Sequence, residues 1–527
     1  MVAAIILIGG TLVRLVGITQ PAASEGSWRE TDGLAIARNL HLDVGSFLAP
    51  VVDWTGGAPV ATEVPFLPWI VSQIYGLSGP NEAVARGVIV AFSMLLMVAM
   101  WRIGRRFVGP LGGLTALLIV AVHPLTAYYG RTFLPDVPAL ALGLTALWVY
   151  LGALDTQGRA AWARYALCAA LLVVAVGIKP PALLLGGVFV AATVSHSGWR
   201  RLLSPPVLIV GAAALLPVLW LALHERSIYD ATGNTFGIFL GHNKFHPELT
   251  LTARFWDEMG PRLLSQTVPL ALMPAVLLGV VGVVVHARRH AVVAVWVGLA
   301  LLWLGLVAEG NLDMPHYQLQ VVPAVALLCG AAVHTVESVQ FIDARNRLVL
   351  GAALAASLAL GSFSGLRYAH RSLQIHHDFL DDAEVVDAAL PDGAKVLLLG
   401  GNTHYSDGDD FDPRPFYHTS TNGWVLNDAG YTLAALSAYC HAGARYVLVR
   451  RPDPHLARET ADHAPAALDL VSWLAVQEPL VDTRHLTAYA LSCEGLPAPQ
   501  FLWPRVPGTH ARPDAGSWRI VQADPAN

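Results

Sequence analysis

The chain has 527 residues, of which 54% are hydrophobic and only 13% charged, and its mean hydropathy is +0.51. Soluble proteins carry about 25% charged residues, so this composition argues against a soluble enzyme and for a polytopic α-helical membrane protein. The net charge of −5 and the absence of a basic low-complexity tail leave no sign of nucleic acid as a partner.

Apolar runs able to cross about 30 Å of hydrocarbon fall near 1–19, 84–101, 111–129, 137–153, 166–179, 182–195, 206–223, 265–285, 291–308, 318–336 and 348–364, about eleven in all. The first lacks a basic leader and a clear small-residue cleavage site, so it reads as a retained helix. Trp28-Arg29-Glu30-Thr31-Asp32-Gly33 follows it directly. Leu34, Ala37 and Leu40/His41 recur at helical spacing, so a juxtamembrane helix is expected from Gly33, with Asp32 at its N-cap. Asp32 then reads in two ways, as a cap or as a base facing a cavity at the membrane surface.

The apolar segment 64–77 contains proline and is too short to span, so it is expected to lie along the interface. His123-Pro124 reads as a kink with a satisfied histidine. Residues 166–195 also allow one unit kinked at Lys179-Pro180-Pro181. The loop 224–264 carries His242, Asn243 and Lys244 before an amphipathic stretch around Phe255 and Trp256. Long loops in compact membrane proteins are more often functional than not.

Alternate loops carry Arg102/Arg105/Arg106, Arg159/Arg164, Arg200/Arg201, Arg288/Arg289 and Arg345/Arg347. By the positive-inside rule these face the cytoplasm, as does the N-terminus. The first loop, the Arg131–Asp136 turn, Lys179, the loops 224–264 and 309–317, and everything after 365 then face outward.

Residues 1–364 form the membrane domain in this reading, and 365–527 a second, extracytoplasmic domain. In the latter "AKVLLLGG" (394–401) and "ARYVLVRR" (444–451) read as buried strands flanking a helix that ends at Gly443, which indicates an α/β fold with a Pro-rich tail from about 497. Cys440 and Cys493 both lie in this outer domain, where a disulfide is permitted and its formation is left open. The lack of internal repeats argues mildly against an inverted-repeat transporter.

The polar residues collected on the outer side are Asp32, Arg38, Glu63, Arg131, Asp136, Lys179, His242, Lys244, Glu309, Asp313, His316 and Tyr317. Each has an ordinary explanation: a turn pair for Arg131 and Asp136, snorkelling for Lys179, a loop charge for Glu63, an interfacial anchor for His316-Tyr317. Together they combine carboxylates, which can take a proton from a hydroxyl, with cations, which can hold a phosphate. Transfer from a phosphate leaving group to an alcohol needs both. Nucleotide donors are not expected outside the cell, so the donor is expected to be lipid-linked. No spacing matches a closed metal site or a nucleotide-binding phosphate loop.

The order of these pieces over about residues 1–340 resembles the GT-C glycosyltransferases, above all the protein O-mannosyltransferases and the bacterial aminoarabinose transferases acting on lipid A. In those families an acidic residue opens a juxtamembrane helix after the first span, here Asp32 in "TDGLAIARNL". A Thr-x-x-Pro-Pro-Leu type motif matches "ATEVPFLPW", with Val64 in place of the first proline. "GRTFLPDVPAL" supplies Arg131 and the second acidic position, Asp136; "GIKPPALLLG" supplies the lysine, Lys179; and "MPHYQLQVVPA" supplies His316, Tyr317 and Pro323.

The resemblance implies an inverting sugar transfer from a polyprenyl-phosphate donor, with no metal or other cofactor. Asp32 would be the base; Asp136 and Glu63 would position the acceptor or hold the cations. Lys179 and Arg131, with His316 and Tyr317, would bind the donor phosphate, while Arg38, His242, Asn243 and Lys244 would serve the acceptor or its loop. The partners implied are the donor lipid and the surrounding membrane, and the Ala-, Arg- and Gly-rich composition suits a bacterial plasma membrane. The alternatives are a ligase or phosphotransferase using a diphosphate-linked donor, a transporter or flippase, and a non-catalytic scaffold presenting the outer domain.

Overall fold

A computed structural model describes residues 1–24, 27–235, 244–338, 343–375, 377–399, 413–426, 432–451, 470 and 472–498. They divide into two compact units, one made of Met1–Gln20, Asn81–Leu221 and Lys244–Gln374, the other of Pro21–Pro80, Ala222–Asn243 and Ile375–Asn527.

The first unit is helical. Its chain order is α1 (Val2–Leu15), α4 (Glu82–Val122), α5 (Pro124–Tyr129), α6 (Asp136–Leu154), α7 (Gly158–Ile178), α8 (Gly186–Ser197) and α9 (Pro205–Thr232, with its last turns in the second unit). After these come α10 (Ala253–Arg262), α11 (Met273–Val285), α12 (Ala291–Leu306), α13 (Ala308–Asp313), α14 (Val322–Ser338) and α15 (Ala344–Ser372). Among the described residues seven helices are long and apolar enough to cross a membrane, or eight if Ala253–Thr267 and Leu270–Val285, bent by 65°, form one span. The protein is therefore a multi-pass membrane protein.

Each expected apolar run coincides with a helix, but the expected count of about eleven is not reached by this measure. The runs 84–101 and 111–129 meet in α4, which changes direction at Gly109 (φ 81°), a left-handed conformation that glycine adopts without strain; Pro110 follows it. Val2–Leu15 and Ala291–Leu306 are apolar but shorter than a full span. Residues 166–195 are two helical segments broken at Lys179, not one.

Packing within the unit relies on small residues and one buried cation. A Cβ on Gly112 would lie 2.7 Å from the Gly330 carbonyl, so α4 and α14 touch backbone to backbone, as polar-free membrane interfaces require. Arg14, fully buried, donates to the carbonyls of Gly10, Val120, Ala121 and Thr126. It thereby satisfies carbonyls that the end of α4 would otherwise leave unpaired. His123 stands at that end as expected, its Nε2 2.9 Å from the Thr267 carbonyl and its Nδ1 accepting from the Leu125 N–H.

The second unit holds α2 (Ser27–His41), the two-residue strands β1 (Gly45–Ser46) and β2 (Ala49–Pro50), and α3 (Phe66–Ser78). The C-terminal segment adds α16 (His377–Ala389), β3 (Lys395–Leu399), α17 (Arg414–His418), β4 (Asn422–Val425), α18 (Leu433–His441), β5 (Tyr446–Arg450), β6 (Pro479–Asp482) and β7 (Leu486–Ala490). Its five strands form a mixed sheet in the order β4-β3-β5-β7-β6, with β3 parallel to both neighbours and β7 antiparallel to both of its own.

Both faces of this sheet are covered, which explains the unbroken apolar runs of β3 and β5. Val396 and Leu398 point to one face, with Phe379 and Val386 of α16 and with Ile36, Val52, Trp54 and Val60 from the first hundred residues. Leu397 and Leu399 point to the other, with Leu436 and Tyr439 of α18. Cys440 of α18 is bonded to Cys493, with Cα atoms 5.7 Å apart. Cys168 and Cys329 are buried free thiols.

Candidate active site

The first group of polar residues is built on α2. This helix starts at Ser27, not at Gly33, so Asp32 is not its N-cap; it lies in the second turn and is buried. The reason is local. The Ser24 N–H donates to Ser27 Oγ, and Ser27 Oγ donates to Glu30 Oε2 at 3.4 Å, a serine–glutamate start signal one turn upstream of the apolar run. Gly33 is thereby carried inside the helix at a cost of about 1 kcal/mol relative to alanine. The capping explanation of Asp32 is lost, and a buried carboxylate needs another reason.

Asp32 Oδ1 accepts a hydrogen bond from the Trp54 indole Nε1 at 3.0 Å, and Oδ2 lies 3.4 Å from Arg29 Nη1. The Arg29 guanidinium also reaches Glu63 Oε2 at 3.6 Å, so one cation bridges two buried carboxylates. Burial pushes the Asp32 carboxyl up to about 6; Arg29 and the Trp54 N–H oppose the rise, and Asp53 adds to it. A carboxyl in that range exchanges a proton near neutral pH, as a general base must.

Arg38 and Asp53 are 2.6 Å apart in an ion pair, Asn39 donates to Asp53 and to the Val51 carbonyl, and the Arg38 guanidinium lies 5.5 Å above the Tyr417 ring. This engagement fits Arg38 for holding the loop 50–60 against α2.

The second group lies in the helical unit. α6 and α7 form an antiparallel hairpin joined by residues 155–157, so the start of α6 and the end of α7 fall at the same end of the pair. Asp136 opens α6 and Lys179 caps α7, and both are buried. Asp136 makes no ion pair with Arg131, so the turn pair is not formed, and its Oδ2 is buried without a hydrogen-bond partner among the described residues. Arg131, also buried, donates from Nη1 to the Val16 carbonyl at 2.5 Å, which fixes it against the end of α1.

The segment Pro315–Val321 packs on α5, two residues before Arg131. There the His316 ring lies 5.7 Å from that of Tyr129, and Tyr317 stacks on Trp303 at 6.3 Å. Arg131, His316 and Tyr317 therefore belong to one neighbourhood. Lys244 is committed to Asp313 at 2.7 Å, and His246 to Glu309 at 3.2 Å. His242 and Asn243 lie outside the described residues.

Two residues of the site, Arg29 and Trp54, are not among those that the sequence singles out. For Arg29 the i, i+3 spacing to Asp32 is a usable signal. Trp54 offers none, since its partner is brought to it by tertiary packing.

Comparison with known proteins places this geometry in a fold. Three-dimensional likeness is extensive to ArnT from Cupriavidus metallidurans, in its apo state (14% identity, 92% of this chain and 97% of that one, TM-score 0.60) and bound to undecaprenyl phosphate (14%, 94% and 99%, TM-score 0.59). The chain has the GT-C fold.

An oligosaccharyltransferase from Archaeoglobus fulgidus, in complex with Zn and sulfate, is similar over 85% of this chain and 68% of its own, with 12% identity and a TM-score of 0.56. The profile of the family described as dolichyl-phosphate-mannose-protein mannosyltransferase matches residues 61–222, a stretch that contains Glu63, Arg131, Asp136 and Lys179. No curated protein matches the chain by sequence.

Proposed function

We propose that this protein is a membrane glycosyltransferase that moves a sugar from a polyprenyl-phosphate donor to an acceptor hydroxyl on the extracytoplasmic side, with inversion. The observation that carries this reading is Asp32, a buried carboxyl with a pKa raised to about 6, bridged by Arg29 to Glu63 within a GT-C fold. The ArnT complex with undecaprenyl phosphate supports a lipid phosphate as the donor's carrier.

In this mechanism Asp32 takes the acceptor's hydroxyl proton as the acceptor oxygen bonds to the anomeric carbon. The bond from that carbon to the phosphate oxygen breaks, and polyprenyl phosphate leaves. Lys179 and Arg131 carry the donor phosphate and stabilise the negative charge that grows on it, a role worth most where water is excluded. His316 and Tyr317 line the phosphate end of the donor, Asp136, with its Oδ2 unpartnered among the described residues, positions the acceptor, and Glu63 fixes Arg29. Lys244, together with His242 and Asn243, serves the acceptor loop. No metal takes part. The orientation is N-terminus inside, with residues 365–527 outside, in a bacterial plasma membrane.

The test is transfer in proteoliposomes from a panel of radiolabelled polyprenyl-phosphate sugars to acceptors present in a membrane extract, with and without EDTA. Transfer that is indifferent to EDTA is expected. Transport of intact donor across the bilayer without release of sugar would instead favour a flippase.

A further inference from the structure

Between Val52 and Gly56 the chain runs along the edge of the C-terminal sheet. β4 is the edge strand, and its Gly423 N–H donates to the Asp53 carbonyl at 2.8 Å, while the Gly56 N–H donates to the Gly423 carbonyl at 2.6 Å. Thr55 bridges to Trp424, and Thr55 Oγ1 closes the turn by donating to the carbonyls of Val52 and Ala58. Residues 53–56 are thus a turn docked on the edge of β4, and the two backbone bonds to Gly423, at Asp53 and at Gly56, flank Trp54. Its ring sits in the core shared with Phe379, Val396 and Leu398. At Gly423 (φ 153°) a Cβ would collide with the Val396 carbonyl, so glycine is required for β4 to lie this close to β3.

We infer that the C-terminal sheet acts through Trp54 as a positioning device for Asp32: the indole N–H holds Oδ1, which leaves Oδ2 as the oxygen that receives the acceptor's proton. The inference rests on the reading of Asp32 as the base. Oδ1 is engaged at 3.0 Å with an N–H fixed by a sheet, whereas among the described residues Oδ2 has only the long 3.4 Å approach of Arg29. A bound oxygen is the poorer proton acceptor, and a carboxylate held by one oxygen cannot rotate the other away from the acceptor. The C-terminal sheet thereby gains a catalytic purpose distinct from binding a partner.

The charged groups around Asp32 are Arg29 and Glu30 on α2, Glu63, and Asp53 with its partner Arg38. The other elements packed on α2 add Arg414 and His418 on α17 and none on α3, β1 or β2. Trp54→Phe removes none of these groups, and the bond it deletes is the one to Asp32 Oδ1, so the pH profile reads that bond.

The experiment compares Trp54→Phe with wild type and Asp32→Asn in proteoliposomes, following sugar transfer from pH 5 to 9 at saturating and limiting donor. Loss of one hydrogen bond to a charged oxygen is expected to move the acid limb up by about one pH unit or more. The plateau kcat is expected to fall about tenfold because orientation is lost, with the KM for donor unchanged. A wild-type acid limb and plateau in Trp54→Phe, with Asp32→Asn inactive, overturns the positioning role alone. Wild-type turnover by Asp32→Asn overturns the base reading beneath it.

Gly56→Ala supplies the second variant, should Trp54→Phe fail to keep the wild-type melting profile. Its Cβ would run into the Trp424 indole and push residues 53–56 off β4, so that the chemically unchanged Trp54 side chain loses its fixed position against Asp32. The same upward shift of the acid limb is expected, and an unmoved limb refutes the inference.

Discussion

Arg29 offers the sharpest quantitative handle on the site. It lies 3.4 Å from Asp32 and 3.6 Å from Glu63, and the Arg29 and Asp32 side chains are only 15% and 6% exposed. For unit charges at that separation the attraction is about 1 kcal/mol with water-like screening and about 5 kcal/mol at an effective dielectric of 20. Since each pKa unit is about 1.4 kcal/mol, replacing Arg29 with glutamine should raise the Asp32 pKa by about one unit or more, up to about 3.5 at the stronger limit. The sign follows from the mechanism: a base works ionised, so activity is present above the pKa of Asp32 and lost below it. Wild type, with a value of about 6, should keep most of its activity at pH 7. Arg29→Gln should then lose at least half of it at pH 7 and recover toward pH 9. The assay is initial rate against pH at saturating donor, with donor-lipid binding measured in parallel as a control of folding. Equal acid limbs in the two proteins, at equal donor binding, would refute the reasoning, because no catalytic carboxylate could then be feeling Arg29.

Two further outcomes are expected. Lys179→Met should lower kcat by roughly 10²–10³, the usual loss when one preorganised donor to a developing anion is removed, and Lys179→Arg should restore part of it; single-turnover rates check both. Cys493→Ser should lower the Tm of the full chain in detergent, because the bond to Cys440 closes a loop of sequence separation 53. By the chain-entropy model that loop is worth at most about 4 kcal/mol, and an unchanged Tm would show that the sheet packing holds this region unaided.

Much of this arrangement is legible in the amino-acid sequence. Membrane helices announce themselves because hydrocarbon admits little but apolar side chains on a helical backbone, so every expected run meets a helix. β3 and β5 are legible as apolar runs because both faces of their sheet are covered. β4, β6 and β7 are not, since each is four or five residues long and Asn422, Pro479 and Thr487 interrupt the pattern. The start of α2 lies upstream of where periodicity puts it, because the pattern registers only from Leu34 while the Ser27 and Glu30 signal precedes it.

The site divides along the same line. Asp32, Glu63, Arg131, Asp136 and Lys179 stand out in the sequence because ionisable residues near membrane depth are few. Their buried condition agrees with that prominence. Trp54 does not stand out, because its meaning depends on Gly423, which the sequence separates from it by hundreds of residues.

The central claim is that Asp32 is the base of a sugar transfer, and its most direct test is a single comparison. Wild type and Asp32→Asn would be reconstituted at equal density and given the radiolabelled polyprenyl-phosphate sugar that wild type accepts, with donor binding and sugar release followed together. The account predicts that Asp32→Asn binds donor as wild type does and releases sugar at least a hundredfold more slowly, within the range of about 10²–10⁴ that a general base contributes. Equal release by both proteins would contradict it and leave Asp32 as a structural carboxylate tied to Arg29 and Trp54.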